Sequence, residues 1–398
     1  MKKIQNWLLL IGMICLPLIW ITLKFSDWNC KGHPILTSCI SGGAIVIAAF
    51  LLCWAAEVAQ KDISQVLALA FLALIAVLPE YAVDMYLTWM AGKDHTYISY
   101  ALANMTGANR LLIGFGWSLV IILYWILKRE KAVHLEESHK IELSFLCLAT
   151  LYSFIIPIKG YLSIIDAIIL FTLFISYIIS ASKEKVIEPE LDGVTLELGM
   201  LPAALRRIVI TFLFLYAGFI IFISAEPFAE GLIHTGRILG IDEFILIQWL
   251  APLASESPEL IAACLFVFKA KPTLGLGTLI SSKVNQWTLL VGLIPVVFCI
   301  SSGKLALMVI DDRQIEELFL TSAQSIFAVA ILVNLNLSVK EALVLFTLFF
   351  TQLIFPSKEI RLIYSFVYLG LTLFILIKDR ARFKNLFSLI RFSVKDKG

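Results

Sequence analysis

About a dozen apolar runs, each long enough to cross a bilayer as a helix, follow one another between residues 6 and 377. A spanning helix needs roughly 20 apolar residues. The runs fall near 6–23, 38–58, 65–91, 97–127, 141–158, 161–180, 207–230, 244–270, 273–300, 315–335, 341–355 and 360–377, the stretch 341–355 being short. No alternating pattern of the outer-membrane barrel kind is present, so the spacing predicts an all-α polytopic membrane protein. Composition agrees: 60% of the 398 residues are hydrophobic and 16% charged, against about 25% charged in an average soluble domain. Lys2 and Lys3 precede the first run as in a signal peptide, but its length and the lack of a small-residue cleavage site predict a retained span.

The Lys and Arg residues of the short loops set the predicted orientation. With the N-terminus inside, one side carries Lys128, Arg129, Lys131 and Lys140, then Lys183, Lys185, Arg206 and Arg207, then Lys269 and Lys271, and finally the tail with Arg380, Arg382, Lys384, Arg391 and Lys395. The opposite loops 231–243 and 301–314 carry Asp242, Glu243, Asp311 and Asp312. Both termini are therefore expected in the cytoplasm of a plasma (inner) membrane protein. The basic residues lie between apolar runs and form no single face, so nucleic acid is not an expected partner. The seven cysteines lack metal-ligand spacing; Cys30 and Cys39 flank the first loop and are placed for a disulfide if that loop is extracytoplasmic. The histidines fall in loops or at span ends, which argues against a metal site or an intramembrane hydrolase.

One signal occurs twice. Ala73-Leu-Ile-Ala-Val-Leu-Pro-Glu80 is followed by Ala103-Asn-Met-Thr-Gly-Ala-Asn109, and Leu253-Ala-Ser-Glu-Ser-Pro-Glu259 by Leu276-Gly-Thr-Leu-Ile-Ser-Ser-Lys283. A carboxylate inside hydrocarbon is costly and marks function. Pro79 and Pro258, one residue before each glutamate, are expected to break the helix and free backbone carbonyls. Glu80 and Asp84 share a helix face, as do Glu256 and Glu259. Carboxylates and carbonyls are hard oxygen ligands, suited to sodium, calcium or magnesium. The polar linker 181–206 separates a half 38–180 from a half 207–355, flanked by segments 1–37 and 356–398. Five predicted spans per half make the second half enter from the opposite side, an inverted repeat with its site near the midplane.

These motifs resemble the alpha repeats of the sodium/calcium exchanger superfamily of cation/calcium antiporters. The family pattern is Gly-Thr-Ser-Leu-Pro-Glu, then Gly-Asn-x-x-Gly-Ser-Asn-x-x-Asn on the next helix. Leu-Pro-Glu80 and Ser-Pro-Glu259 match the first part; Asn104 through Asn109 and Gly277 through Ser282 match the second. The resemblance covers roughly 40–125 and 215–300 and implies a ten-helix core, with about two flanking helices here. It implies exchange of calcium or sodium for sodium or protons by alternating access, with no cofactor besides the transported ions and with inorganic cations and the bilayer as partners. By that likeness Glu80 and Glu259 are the metal ligands, joined by Glu256, Asp84, Ser255, Ser282, Gln286, Asn104 and Asn109.

The copies depart from the family pattern unequally. The Thr-Ser hydroxyls fall on Ala76 and Val77 in the first half but on Ser255 and Glu256 in the second. The later serine is Ala108 in one half and Ser282 in the other, and the final asparagine falls on Leu112 and Gln286. Two cations, Arg110 and Lys283, stand beside the second motif as modulating charges. Lys283 is read as standing in for one bound sodium ion; the alternative is that both cations snorkel or pair structurally. Two other functions stay open on the sequence: an ion-coupled carrier of another solute, and a degenerate protein that transports nothing. Glu57, Glu226 and Glu230 are weaker candidates, and Asp166 is assigned no role.

Overall fold

The computed structural model describes residues 2–26, 32–62, 77–183, 191–355 and 357–395. In chain order its helices are α1 (Lys2–Phe25), α2 (Pro34–Ala59), α3 (Leu78–Ala91), α4 (Tyr97–Lys128), α5 (Glu137–Lys159), α6 (Ile164–Ala181), α7 (Gly193–Gly199), α8 (Ala203–Leu239), α9 (Glu243–Phe268), α10 (Pro272–Ser302), α11 (Asp312–Leu332), α12 (Val339–Ile354), α13 (Lys358–Lys378) and α14 (Arg380–Lys395). Among the described residues ten of them are long and apolar enough to span a membrane: α1, α2, α4, α5, α6, α8, α9, α10, α11 and α13. The predicted span 65–91 lies partly outside the described residues; α3 is its described part. The Cys30 half of the suggested disulfide also lies outside them.

Helix α12 has 16 residues, or about 24 Å at 1.5 Å per residue, short of a hydrocarbon core of about 30 Å. Its partner α13 nevertheless brings the chain back to where α12 starts, because Arg382 donates to Glu341 at 2.7 Å. The two helices therefore leave and return to one end. Beyond them, the tail read as merely basic is itself helical, as α14. In the linker, α7 begins at a capping box between Asp192 and Thr195.

Contacts group the chain into two compact units, Met1–Leu87 with Ser182–Pro258, and Thr88–Ala181 with Glu259–Gly398. Each unit takes parts of both predicted halves. In the first, α2 packs along α8 through small residues, which let helix backbones approach where lipid offers no hydrophobic drive. A Cβ on Gly42 would lie 2.8 Å from the Phe228 ring, and one on Gly231 would lie 3.0 Å from Ser38 Cβ. Leu51, Leu52, Leu213, Ile220 and Trp20 fill the core beside them. At one end Arg206 clamps Asp62 through Nε at 2.7 Å and Nη2 at 2.9 Å, and Arg207 adds Nε at 3.0 Å.

The second unit is built on α11, which is buried along almost its whole length and packs against α4, α5 and α13. Short antiparallel ribbons tie its loops: β1 (Ala132–His134) pairs with β4 (Asn336–Ser338), and β2 (Tyr161–Leu162) with β3 (Met308–Val309). Polar side chains point inward, with Thr321, Ser322, Gln324 and Ser325 of α11 fully buried. Large apolar side chains point outward: Leu8 and Ile11 on α1, Phe219 and Phe222 on α8, Phe366 and Phe374 on α13. That reverses the arrangement of a soluble protein and is what a lipid solvent demands. The chain is an all-α, multi-pass integral membrane protein.

Candidate functional site

In the first unit Glu80 and Asp84 project from α3 and are buried, at 1% and 0% exposure. Pro79 is the second residue of that helix, and Tyr81 N donates to Val77 O at 3.0 Å in its first turn. Proline is well suited there, since the first turn needs no N–H. It stands in the first turn of the described helix. Ala76 lies outside the described residues. On α9, Ser255 and Glu256 are also buried.

Pro258 does not break its helix: α9 runs on from Glu243 to Phe268. The missing N–H of Pro258 leaves the Ala254 carbonyl without its donor four residues on. Ser257 supplies one, its Oγ donating to Ala254 O at 2.9 Å. The freed carbonyl is thus satisfied by a neighbouring hydroxyl, which corrects the expectation of a helix opened at this proline. Ser255 Oγ donates to Ala251 O at 3.1 Å and Pro252 O at 3.3 Å. Its proton is used on its own helix, so its lone pairs are what it can offer a cation.

In the second unit Glu259, Asn104, Asn109, Arg110, Ser282, Lys283 and Gln286 are all buried. Gly275 brings α10 against α9: a Cβ there would sit 2.6 Å from Ala263 O. Further along the same helix, Ser282 Oγ donates to Glu259 Oε2 at 2.7 Å. The structure thus brings together two of the site residues named separately from the sequence, Ser282 and Glu259. Asn109 Nδ2 donates to Met105 O at 2.8 Å, which turns its Oδ1 outward to accept from Lys283 Nζ at 2.6 Å. Asn104 and Gln286 are placed on the same two helices, α4 and α10.

Both helices carry a π-helical turn directly after the motif residues, Leu112–Trp117 in α4 and Gln286–Leu290 in α10. Such turns occur mostly at functional sites. That they recur at matched places in the two repeats was not legible from hydropathy.

Arg110 has a partner the sequence did not name. Its Nη2 donates to Glu317 of α11 at 2.5 Å, both side chains being buried. Arg361 of α13 lies 3.8 Å from Glu317 and donates to Glu316 through Nε at 3.1 Å and Nη2 at 2.8 Å. Lys358 reaches Glu316 at 3.1 Å from the exposed end of α13. The one hint was a Glu-Glu pair just inside a predicted span. The weaker acids also find protein partners. Glu230 accepts from Tyr86 Oη at 2.8 Å, and Asp166 accepts from Tyr152 Oη at 2.6 Å and from Ser163 N at 2.7 Å. These are structural pairings.

Among the described residues no three His, Cys, Asp or Glu side chains gather as a metal cage. A cavity of about 510 Å³ opens between His95, Ser99, Tyr100 and Asp311 and contains none of the candidate ligands. Any cation shell built from these residues draws on amide and hydroxyl oxygens besides carboxylates, as hard cations accept.

The sodium/calcium exchanger protein family model matches residues 33–183 and 209–358. The chain is similar to the H+/Ca2+ exchanger CAX in its crystal structure, with 46% identity, coverage of 98% of each chain and a TM-score of 0.94. It shares a fold with native YfkE, at 14% identity, TM-score 0.63 and coverage of 88% of this chain and 98% of that one. The sodium-calcium exchanger NCX_Mj, soaked with sodium and strontium, shares the fold at 16% identity and TM-score 0.53, covering 82% and 98%. A search of curated protein sequences returns no match. With both repeats matched and a solved relative alike over almost the entire chain, the protein belongs to the sodium/calcium exchanger family.

Proposed function

We propose that this cation antiporter exchanges calcium for protons. The observation that carries the reading is the buried Glu259 with the Ser282 hydroxyl 2.7 Å from it, in a chain 46% identical to an H+/Ca2+ exchanger. A carboxylate with a hydroxyl beside it is a hard oxygen donor set that fits calcium. The same carboxylate can be neutralised by a proton in place of a cation. One site can then hold either ion, and neither passage needs covalent chemistry. Within the first unit the candidate oxygen donors are Glu80, Asp84, Ser255 and Glu256, and within the second they are Asn104, Asn109, Ser282, Gln286 and Glu259. Sodium is the second candidate counter-ion, and its support is likeness of fold alone.

Both termini belong in the cytoplasm under this reading. Support comes from loops the Lys and Arg pattern puts on one side and that touch: Asp62 with Arg206, β1 with β4, and Arg382 with Glu341. The test is uptake of labelled calcium into vesicles under an imposed proton or sodium gradient. Wild type takes up calcium against the proton gradient, and Glu80→Gln and Glu259→Gln each lose at least ten-fold of that flux. No gradient-driven calcium flux in wild type would end the proposal; flux driven only by sodium would reassign the counter-ion.

A further inference from the structure

Lys283 is fully buried, and its ammonium sits in a cradle that would suit a free monovalent cation. Its Nζ carries three N–H donors and no acceptor. Two oxygens of one residue accept from it: Asn109 Oδ1 at 2.6 Å and Asn109 O at 3.3 Å. The indole of Trp287 lies 4.2 Å away on another side, within cation–π reach. The amide is fixed as an acceptor, because its nitrogen is occupied by Met105 O at 2.8 Å. The neighbouring Ser282 holds Glu259, so this cradle lies one residue along α10 from the proposed exchange site. A side-chain carbonyl, a main-chain carbonyl and an aromatic face all favour a single positive charge between them.

We propose that Lys283 is a tethered occupant of a monovalent-cation site formed by Asn109 and Trp287, so that the exchanger runs without binding free sodium or potassium there. The flux part of this proposal rests on the exchange reading; the binding part does not. Desolvating an ammonium is costly unless it is well coordinated. Removing the side chain should therefore leave oxygens that welcome a substitute ion.

The test uses the full chain purified in detergent, with sodium, potassium or methylammonium chloride titrated against choline chloride at constant ionic strength. The wild-type melting midpoint stays flat across all three salts. That of Lys283→Ala starts lower and rises saturably with at least one of them, and the added substitution Asn109→Ala abolishes the rise. Lys283→Met fills the volume without a charge and stays flat. In proteoliposomes, calcium flux by Lys283→Ala falls at least ten-fold in choline and recovers with the same cation. If Lys283→Ala does not fold, Lys283→Gln is titrated in its place. A flat response in the tested variant, or a wild type that responds as strongly, overturns the proposal. A wild type without calcium flux would sink the exchange reading while leaving the melting result to stand.

Discussion

At the residue scale, some buried charges pair with an opposite charge, as Arg110 does with Glu317, and others are held by neutral side chains, as Glu259 is by Ser282. Ser282 donates its proton to Glu259, and Asn109 accepts from Lys283, so a neutral side chain holds an acid in one pair and a base in the other. Outside the spans, Asp62 is the clearest electrostatic clamp. Hydrogen bonds from the Arg206 guanidinium, opposed by burial and aided by Arg207, hold its carboxyl down at about 2, from an ordinary value of 3.8. A carboxyl lowered by folding stabilises the protein above its unfolded value and loses that contribution as pH falls through its folded one. The window here runs from about pH 4 down to about 2. Wild type should lose more melting temperature across that window than Asp62→Asn; parallel curves would show that the clamp contributes nothing. Above pH 5 wild type should remain the more stable of the two.

The first unit shows how single positions govern whole helices. Gly42 and Gly43 are neighbours on α2, yet only Gly42 faces Phe228 of α8, and nothing lies within 4 Å of a Cβ on Gly43. Overpacking a tight contact costs about 1–3 kcal/mol, while replacing glycine inside a helix returns up to about 1 kcal/mol. Gly42→Val should therefore lower the melting midpoint and Gly43→Ala should hold or raise it. Thermal melts of the two side by side settle the matter, and equal behaviour would remove the packing argument. The prolines show the same dependence on position. Pro79 opens α3 at no cost to its hydrogen bonds, whereas Pro258 sits inside α9 with Ser257 closing the gap it makes.

Across the molecule, α13 lies almost wholly beyond the family-matched segments, yet it supplies Arg361 to the buried acids of α11. Removing one partner from a buried ionic cluster costs about 3–5 kcal/mol, because the other charge stays buried. Arg361→Gln should destabilise the chain by that order, and Glu316→Gln added to it should restore part of the loss. A double-mutant cycle on melting free energies gives the coupling; simple additivity would mean the pair is not coupled. Helix α13 is then a working part of the second unit, even though it lies almost wholly outside the matched repeats.

The sequence by itself determined that the chain is helical, membrane-spanning and internally repeated, and it marked Glu80 and Glu259. Those properties are local: an apolar run of spanning length, or a carboxylate inside one, is costly or favourable whatever its neighbours are. Tertiary structure alone decided which charges answer which. Arg110 and Glu317 are 207 residues apart, and Lys283 and Asn109 are 174 apart. Arg110 and Lys283 read alike in the sequence, each a cation beside a motif. One pairs with a carboxylate on α11 and the other donates to an amide on α4, because partner choice depends on which helices abut. The fate of the prolines was equally tertiary and local at once, since a helix start and a helix interior make opposite demands on a missing N–H.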